Sequence, residues 1–248
     1  MRTSNPALSA STFESTVPFD EKMTIEGTVN KSLFLISLVF ASGYWAWQSA
    51  YPSGWGPSEV PSIPNWYLPS IFIAFILSLV IIFKKTTAPF LAPVYALLEG
   101  ASLGALSALF EVKYPGIVMQ AVMCTFATFF SLLMAYKSQL IQATENFKLG
   151  VVAATGGIAI VYLIDIVLLY FGTQVPFIHE NGPMGILVSV FVTVIAALNL
   201  VLDFDFIEKG AERGAPKYME WYASFGLLVT LVWLYLEILR LLAKSRKK

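Results

Sequence analysis

Four acidic residues stand inside long apolar stretches of this chain: Glu99, Asp165, Asp203 and Glu237. Asp205 and Glu208 follow Asp203 closely, and no Lys or Arg stands at comparable depth. An ionised carboxylate at the centre of a bilayer costs about 3 kcal/mol or more. Such a group is kept where it faces a cavity, holds its proton or meets a cation. Asn199 and Asp203 are four apart and share one helix face, whereas Asp205 points largely away. Trp233, Glu237 and Arg240 share a face near the end of the last apolar stretch. If Asp203 and Glu237 converge, they cannot both ionise cheaply. They would share a proton, respond to pH near neutrality and offer oxygen ligands suited to Ca²⁺. The alternative is structural. Each acid is then protonated or hydrogen-bonded to Asn199, a Tyr or a backbone carbonyl, and Glu237 pairs locally with Arg240 three residues on.

Other chemistries lack their residues. An intramembrane aspartyl protease wants a GxGD step and a zinc protease wants HExxH; neither is present. The only histidine, His179, lies in Pro176-Phe177-Ile178-His179-Glu180 and reads as a solvated loop residue. The only cysteine, Cys124, excludes an internal disulfide framework and a thiolate metal cage, and reads as packing. No enzyme and no bound cofactor are expected. Lys+Arg 16 against Asp+Glu 16 leaves no positive field for nucleic acid.

The elements that must position these acids are membrane helices. Of the 248 residues, 57% are hydrophobic and 13% charged, and the mean hydropathy is +0.70. A soluble domain carries about twice that charge. A span needs about 20 apolar residues. The pattern predicts seven spans: Lys31–Tyr51, Trp66–Phe83, Pro89–Phe110, Pro115–Tyr136, Phe147–Phe171, Pro183–Phe204 and Tyr218–Leu242. The fold class is an all-α integral membrane bundle, with a polar N-terminal tail (1–30), a seven-helix domain (31–242) and a basic C-terminal tail (243–248). A secretory signal needs a basic start followed closely by an apolar run, and residues 1–30 lack that run. Loops after the second, fourth and sixth spans hold Lys84, Lys85, Lys137, Lys148, Lys209, Arg213 and Lys217; the others hold only Lys113. That bias puts the N-terminus in the cytoplasm. Seven spans then put the C-terminus outside, yet Arg240, Lys244, Arg246, Lys247 and Lys248 prefer the inside. Either the last helix spans against the rule, or it is a re-entrant or short helix buried in the bundle; the loops outvote the tail, so seven spans are expected. A regular seventh span would hold Glu237 away from Asp203.

Gly100 and Gly104 form a GxxxG step in the third span, extended by Ala101, Ala105 and Ala108. Gly150, Ala153, Ala154, Gly156 and Gly157 give the fifth a similar surface. Both read as tight helix packing, because lipid supplies no hydrophobic drive for association.

The segment Ala196-Ala197-Leu198-Asn199-Leu200-Val201-Leu202-Asp203-Phe204-Asp205-Phe206-Ile207 resembles the acidic sixth-helix motif of the Bax inhibitor-1/YccA family. Glu99-Gly100-Ala101-Ser102-Leu103-Gly104 resembles that family's early glycine-rich helix, and Glu237 stands where the family carries its second acid. The resemblance covers roughly residues 30–242 and suggests a divergent bacterial-type member in the inner (plasma) membrane. It implies six helices around a central seventh, and a pH-sensitive Ca²⁺ leak controlled by a carboxylate pair between helices six and seven. Carried over, Asp203 and Glu237 are that pair, with Glu in place of the usual Asp at the second position. The family's basic latch on helix two has no clear match; only Lys84 and Lys85 stand at that helix's end. Glu99, Asp165, Asn199, Asp205 and Arg240 are secondary candidates. The expected partners are the bilayer, protons and Ca²⁺. The other functional reading is a membrane regulator acting by protein contact on a quality-control protease or a stress or cell-death pathway, for which the tail and the GxxxG surface matter more than the acids. A transporter using the same acids usually shows repeats and broken helices, which are not evident here.

Overall fold

The computed structural model describes residues 22–51, 61–180 and 182–246. Seven long helices follow in chain order: α1 (Ile25–Ala50), α2 (Tyr67–Phe83), α3 (Ala88–Lys113), α4 (Ile117–Lys137), α5 (Glu145–Tyr170), α6 (Pro183–Glu212) and α7 (Met219–Arg246). A 3₁₀ turn, Lys85–Thr87, leads into α3, and one helical turn, Pro176–His179, sits between α5 and α6. Six of the long helices have the length and apolarity to cross a membrane; α2, at 17 residues, is shorter. No strand occurs among the described residues.

The ends follow from local chemistry. Thr24 caps α1 by accepting from the Gly27 N–H at 2.9 Å, and Thr144 caps α5 through the Phe147 N–H at 3.3 Å. Gly116 precedes α4 with φ 78°, a left-handed conformation suited to glycine. The Glu111 carboxylate accepts from the Gly116 and Val118 N–H groups there. Proline at the first turn opens α3 and α6, where its missing N–H costs nothing.

Apolar spans end where hydropathy ends, but several helices do not. Residues 25–30, expected in the polar tail, form the first turns of α1. α6 runs on to Glu212 and α7 to Arg246, so the supposed basic tail is helical through that residue. Positions 1–21, 247 and 248 lie outside the described residues. Polar residues continue a helix readily once it leaves the hydrocarbon, and hydropathy registers only the apolar part.

α7 is the axis of the bundle. It buries more residues than any other helix, and α1, α3, α4 and α6 pack directly on it. α2 rests mainly on α3, and α5 mainly on α6, so the ring around α7 is looser than six equal neighbours. α7 is one uninterrupted helix of 28 residues, which removes the re-entrant alternative. The closest approach is between α1 and α3. A Cβ added at Gly104 would collide with the Gly43 carbonyl, and one at Gly100 with the Val39 backbone. The third-span glycines thus bring two backbones together. The fifth-span glycines do not: a Cβ at Gly150, Gly156 or Gly157 would meet nothing within 4 Å. Those glycines and Ala153 face away from the bundle, while Ala154 packs with Ile158 against Val192 and Ile195 of α6. Cys124, read as packing, is exposed on the outer side of α4.

Candidate functional site

The acids occupy separate depths. Asp203 lies on α6 where it faces α7, with Thr230 beside its carboxyl; the Thr230 hydroxyl donates to the Gly226 carbonyl at 3.3 Å. Asp203 is half-buried, but its Oδ2 is sealed inside the protein and has no hydrogen-bond partner. It is the one such buried side-chain atom among the described residues, and Asp203 makes no ion pair there. Its neighbour in sequence, Asp205, is satisfied twice: Lys148 on α5 at 2.9 Å and Lys209 at 2.8 Å.

Glu237 is 1% exposed and fully partnered. Arg240 Nη1 donates to both of its oxygens at 3.0 and 3.1 Å, Trp233 Nε1 at 3.3 Å, and the Tyr162 hydroxyl on α5 at 3.0 Å. Arg240 also donates to the Tyr162 oxygen and lies over its ring, 5.3 Å from the centroid. One cation and two neutral donors hold this carboxylate as a charge-assisted cluster.

Asp203 and Glu237 therefore do not share a hydrogen bond. Thr230, level with Asp203, is seven residues from Glu237, about 10 Å of helical rise. A resident Ca²⁺ would need several oxygens at one point. Among the described residues, no three His, Cys, Asp or Glu side chains gather to hold a metal.

The secondary candidates serve other contacts. Asn199 Nδ2 donates to Thr155 Oγ1 on α5 and to the Ile195 carbonyl, both at 2.8 Å, and so ties α6 to α5 rather than to Asp203. Glu99 is half-buried on α3 beside the Tyr95 hydroxyl. Asp165 is buried and accepts from the Val175 N–H at 2.9 Å and from His179 Nε2 at 2.8 Å. His179 is thus not a free loop residue; it folds the α5–α6 connection back onto α5. At the end of the second helix, Lys85 lies over the Tyr222 ring, 5.2 Å from its centroid.

A family model described as Bax inhibitor 1 like matches residues 5–247. The chain belongs to the Bax inhibitor 1 like family. No curated protein and no solved structure matches it. For a Bax inhibitor 1 like chain, membership extends the resemblance from its motifs to nearly the whole sequence, including most of the N-terminal segment.

Three contributors to these clusters went unnoticed in the sequence. Tyr162 and Thr230 are single polar residues inside apolar helices, a signal that is legible but weak. Glu220 is the larger surprise. It is fully buried at the start of α7 and accepts from Lys31, from Lys217 at 2.9 Å, and from the Thr24 N–H and hydroxyl, each at 2.9 Å. With the Met23 N–H donating to the Ala215 carbonyl at 2.6 Å, it pins residues 22–31 of this family member against the α6–α7 loop. It stands third in the predicted seventh span, Tyr218–Leu242, right after the basic loop, and nothing in its spacing singled it out.

Proposed function

We propose that this protein is a proton-regulated cation leak pathway of the membrane, with Ca²⁺ as the permeant ion. Asp203 is the group whose charge changes, and the Glu237–Arg240–Tyr162 cluster fixes the far half of the central helix. The observation that supports this reading is the unpartnered, buried Oδ2 of Asp203 at the α6–α7 interface. A protonated Asp203 is compatible with that packed interface. An ionised Asp203 has no cation there, and a buried carboxylate without one is costly. Deprotonation therefore favours an arrangement in which α6 and α7 part and water or a cation reaches the oxygen. Family membership supports a membrane protein. The orientation, with the N-terminus in the cytoplasm, belongs to the same proposal and rests on the distribution of loop lysines.

The test is Ca²⁺ flux into dye-loaded liposomes carrying the purified full-length protein, from pH 5 to 8. Asp203→Asn is expected to flatten the pH profile, because its side chain cannot ionise. Glu237→Gln is expected to change the amplitude with the pH midpoint kept. Flux unchanged by Asp203→Asn at every pH would remove Asp203 from the mechanism.

A regulatory role by protein contact is favoured by a different observation: the N-terminal segment is clamped to α7 through Glu220. A partner that pulled on residues 1–21 would strain that clamp. Deleting residues 1–21 while following binding to a membrane protease discriminates the two readings.

A further inference from the structure

A cavity of about 560 Å³ opens at the end of the bundle opposite the α6–α7 loop, between the last turns of α3, α5 and α7. Its floor and walls mix two chemistries. Phe110, Ile166 and Ile178 are apolar, while Lys113, Arg240 and Lys244 bring three fixed cations against one carboxylate, Asp165. Two of those charges are already committed: Arg240 to Glu237, and Asp165 to His179. The two lysines are not. Neither makes an ion pair among the described residues. Lys244 is only 6% exposed, yet its ammonium donates to neutral acceptors, the Gly185 carbonyl at 3.0 Å and Ser189 Oγ at 2.8 Å. A buried ammonium group recovers little of its lost hydration from two neutral oxygens, so an anion beside it is strongly favoured. Lys113 is exposed at the rim of the same cavity and reaches no carboxylate.

We propose that this cavity binds a phosphate group, held between Lys244 and Lys113, with the apolar walls covering the uncharged part of the molecule that bears it. Arg240 stays with Glu237 and frames the site, and His179 on its short turn closes one side. A phospholipid headgroup and a free phosphate ion share the chemistry recognised, and only the first uses the apolar walls.

Full-length protein in phosphatidylcholine nanodiscs containing equal phosphatidylglycerol tests this by native mass spectrometry of retained lipid. Phosphatidylglycerol is expected to be retained over phosphatidylcholine. Lys113→Gln, at an exposed position, is expected to weaken that preference about fivefold, the effect of one cation near an anionic headgroup. Lys244→Met, which keeps the aliphatic stem, is expected to weaken it at least as much. In a second arm, inorganic phosphate is titrated onto protein in pure phosphatidylcholine. Lysine-dependent retention of phosphatidylglycerol with no response to phosphate assigns the site to a lipid headgroup. A lysine-dependent response to phosphate without lipid preference assigns it to the free ion, and both responses together assign it to the phosphate group from either source. Retention and phosphate response that are both absent, or both indifferent to Lys113→Gln and Lys244→Met, overturn the proposal.

Discussion

Replacing Arg240 by Gln should destabilise the bundle far more than replacing Glu237 by Gln, although the two side chains form one ion pair. The asymmetry follows from exposure: the Glu237 side chain is 2% exposed and that of Arg240 is 39% exposed. Arg240→Gln strands a carboxylate inside the protein. Breaking a fully buried pair in this way costs about 3–5 kcal/mol. Here Arg240 is partly open to solvent, and the Tyr162 and Trp233 donors survive the change. The cost falls to roughly 2 kcal/mol. Glu237→Gln leaves a neutral amide among donors and frees a guanidinium that can reach water, for a loss of less than about 1 kcal/mol. In the double variant no charge is stranded, so it should recover about 1 kcal/mol relative to Arg240→Gln alone. For a chain of this length, 2 kcal/mol corresponds to a fall in Tm of roughly 4–8 °C. The assay is thermal unfolding of the four proteins in lipid nanodiscs, followed by intrinsic tryptophan fluorescence. If the single variants lose equal stability and their effects add, Glu237 is not held as a paired carboxylate and this reasoning fails.

Other outcomes are expected elsewhere in the bundle. Gly104→Ala drives a methyl group into the Gly43 backbone and should cost about 1–3 kcal/mol, measurable as a lower Tm, whereas Gly156→Ala, which meets nothing, should be neutral. Gly27→Ala collides with the Glu220 carboxylate. Like Glu220→Gln, it should release the N-terminal segment and speed its limited proteolysis; an unchanged cleavage rate in both would show that this clamp does not hold the segment. Asp165→Asn weakens the acceptor of His179 and Val175, so cleavage in the α5–α6 connection should accelerate while the rest of the chain stays protected.

The helix count, the tight packing at Gly100 and Gly104 and the presence of acids inside apolar helices were legible in composition, spacing and charge; that α1 is the helix packed there was not. Arg240, three residues on, was legible as a partner of Glu237, but the partners on other helices were not, and the reason is depth. Charge placement in a sequence says that a carboxylate is in a helix; it does not say which residue of another helix stands beside it. For antiparallel helices joined by a short loop, that register is set by distance from the loop. Asp203 stands nine residues before the end of α6 at Glu212, and Thr230 stands eleven residues after the start of α7 at Met219. Glu237 stands eighteen residues after that start, about two turns too far. The missing information was where α6 stops, and its polar continuation from Asp205 to Glu212 hid that from hydropathy.

The same register bears on mechanism. Bringing Glu237 level with Asp203 would require α7 to slide by about 10 Å toward the α6–α7 loop. That slide would pull Glu220 away from Lys31 and Thr24 and tear Glu237 from Tyr162. Each of these carboxylates is buried, so each lost partner leaves a charge that the low-dielectric interior penalises. The smaller rearrangement is a separation of α6 from α7 at the level of Asp203 alone, where Oδ2 has no partner to lose. On the proposed reading, Glu237 marks the part of the central helix that stays fixed, and Asp203, on α6, is the group that responds. Independent effects of Asp203→Asn on pH response and of Glu237→Gln on stability are the consequence, and a strong coupling between them in flux would point instead to a directly shared proton.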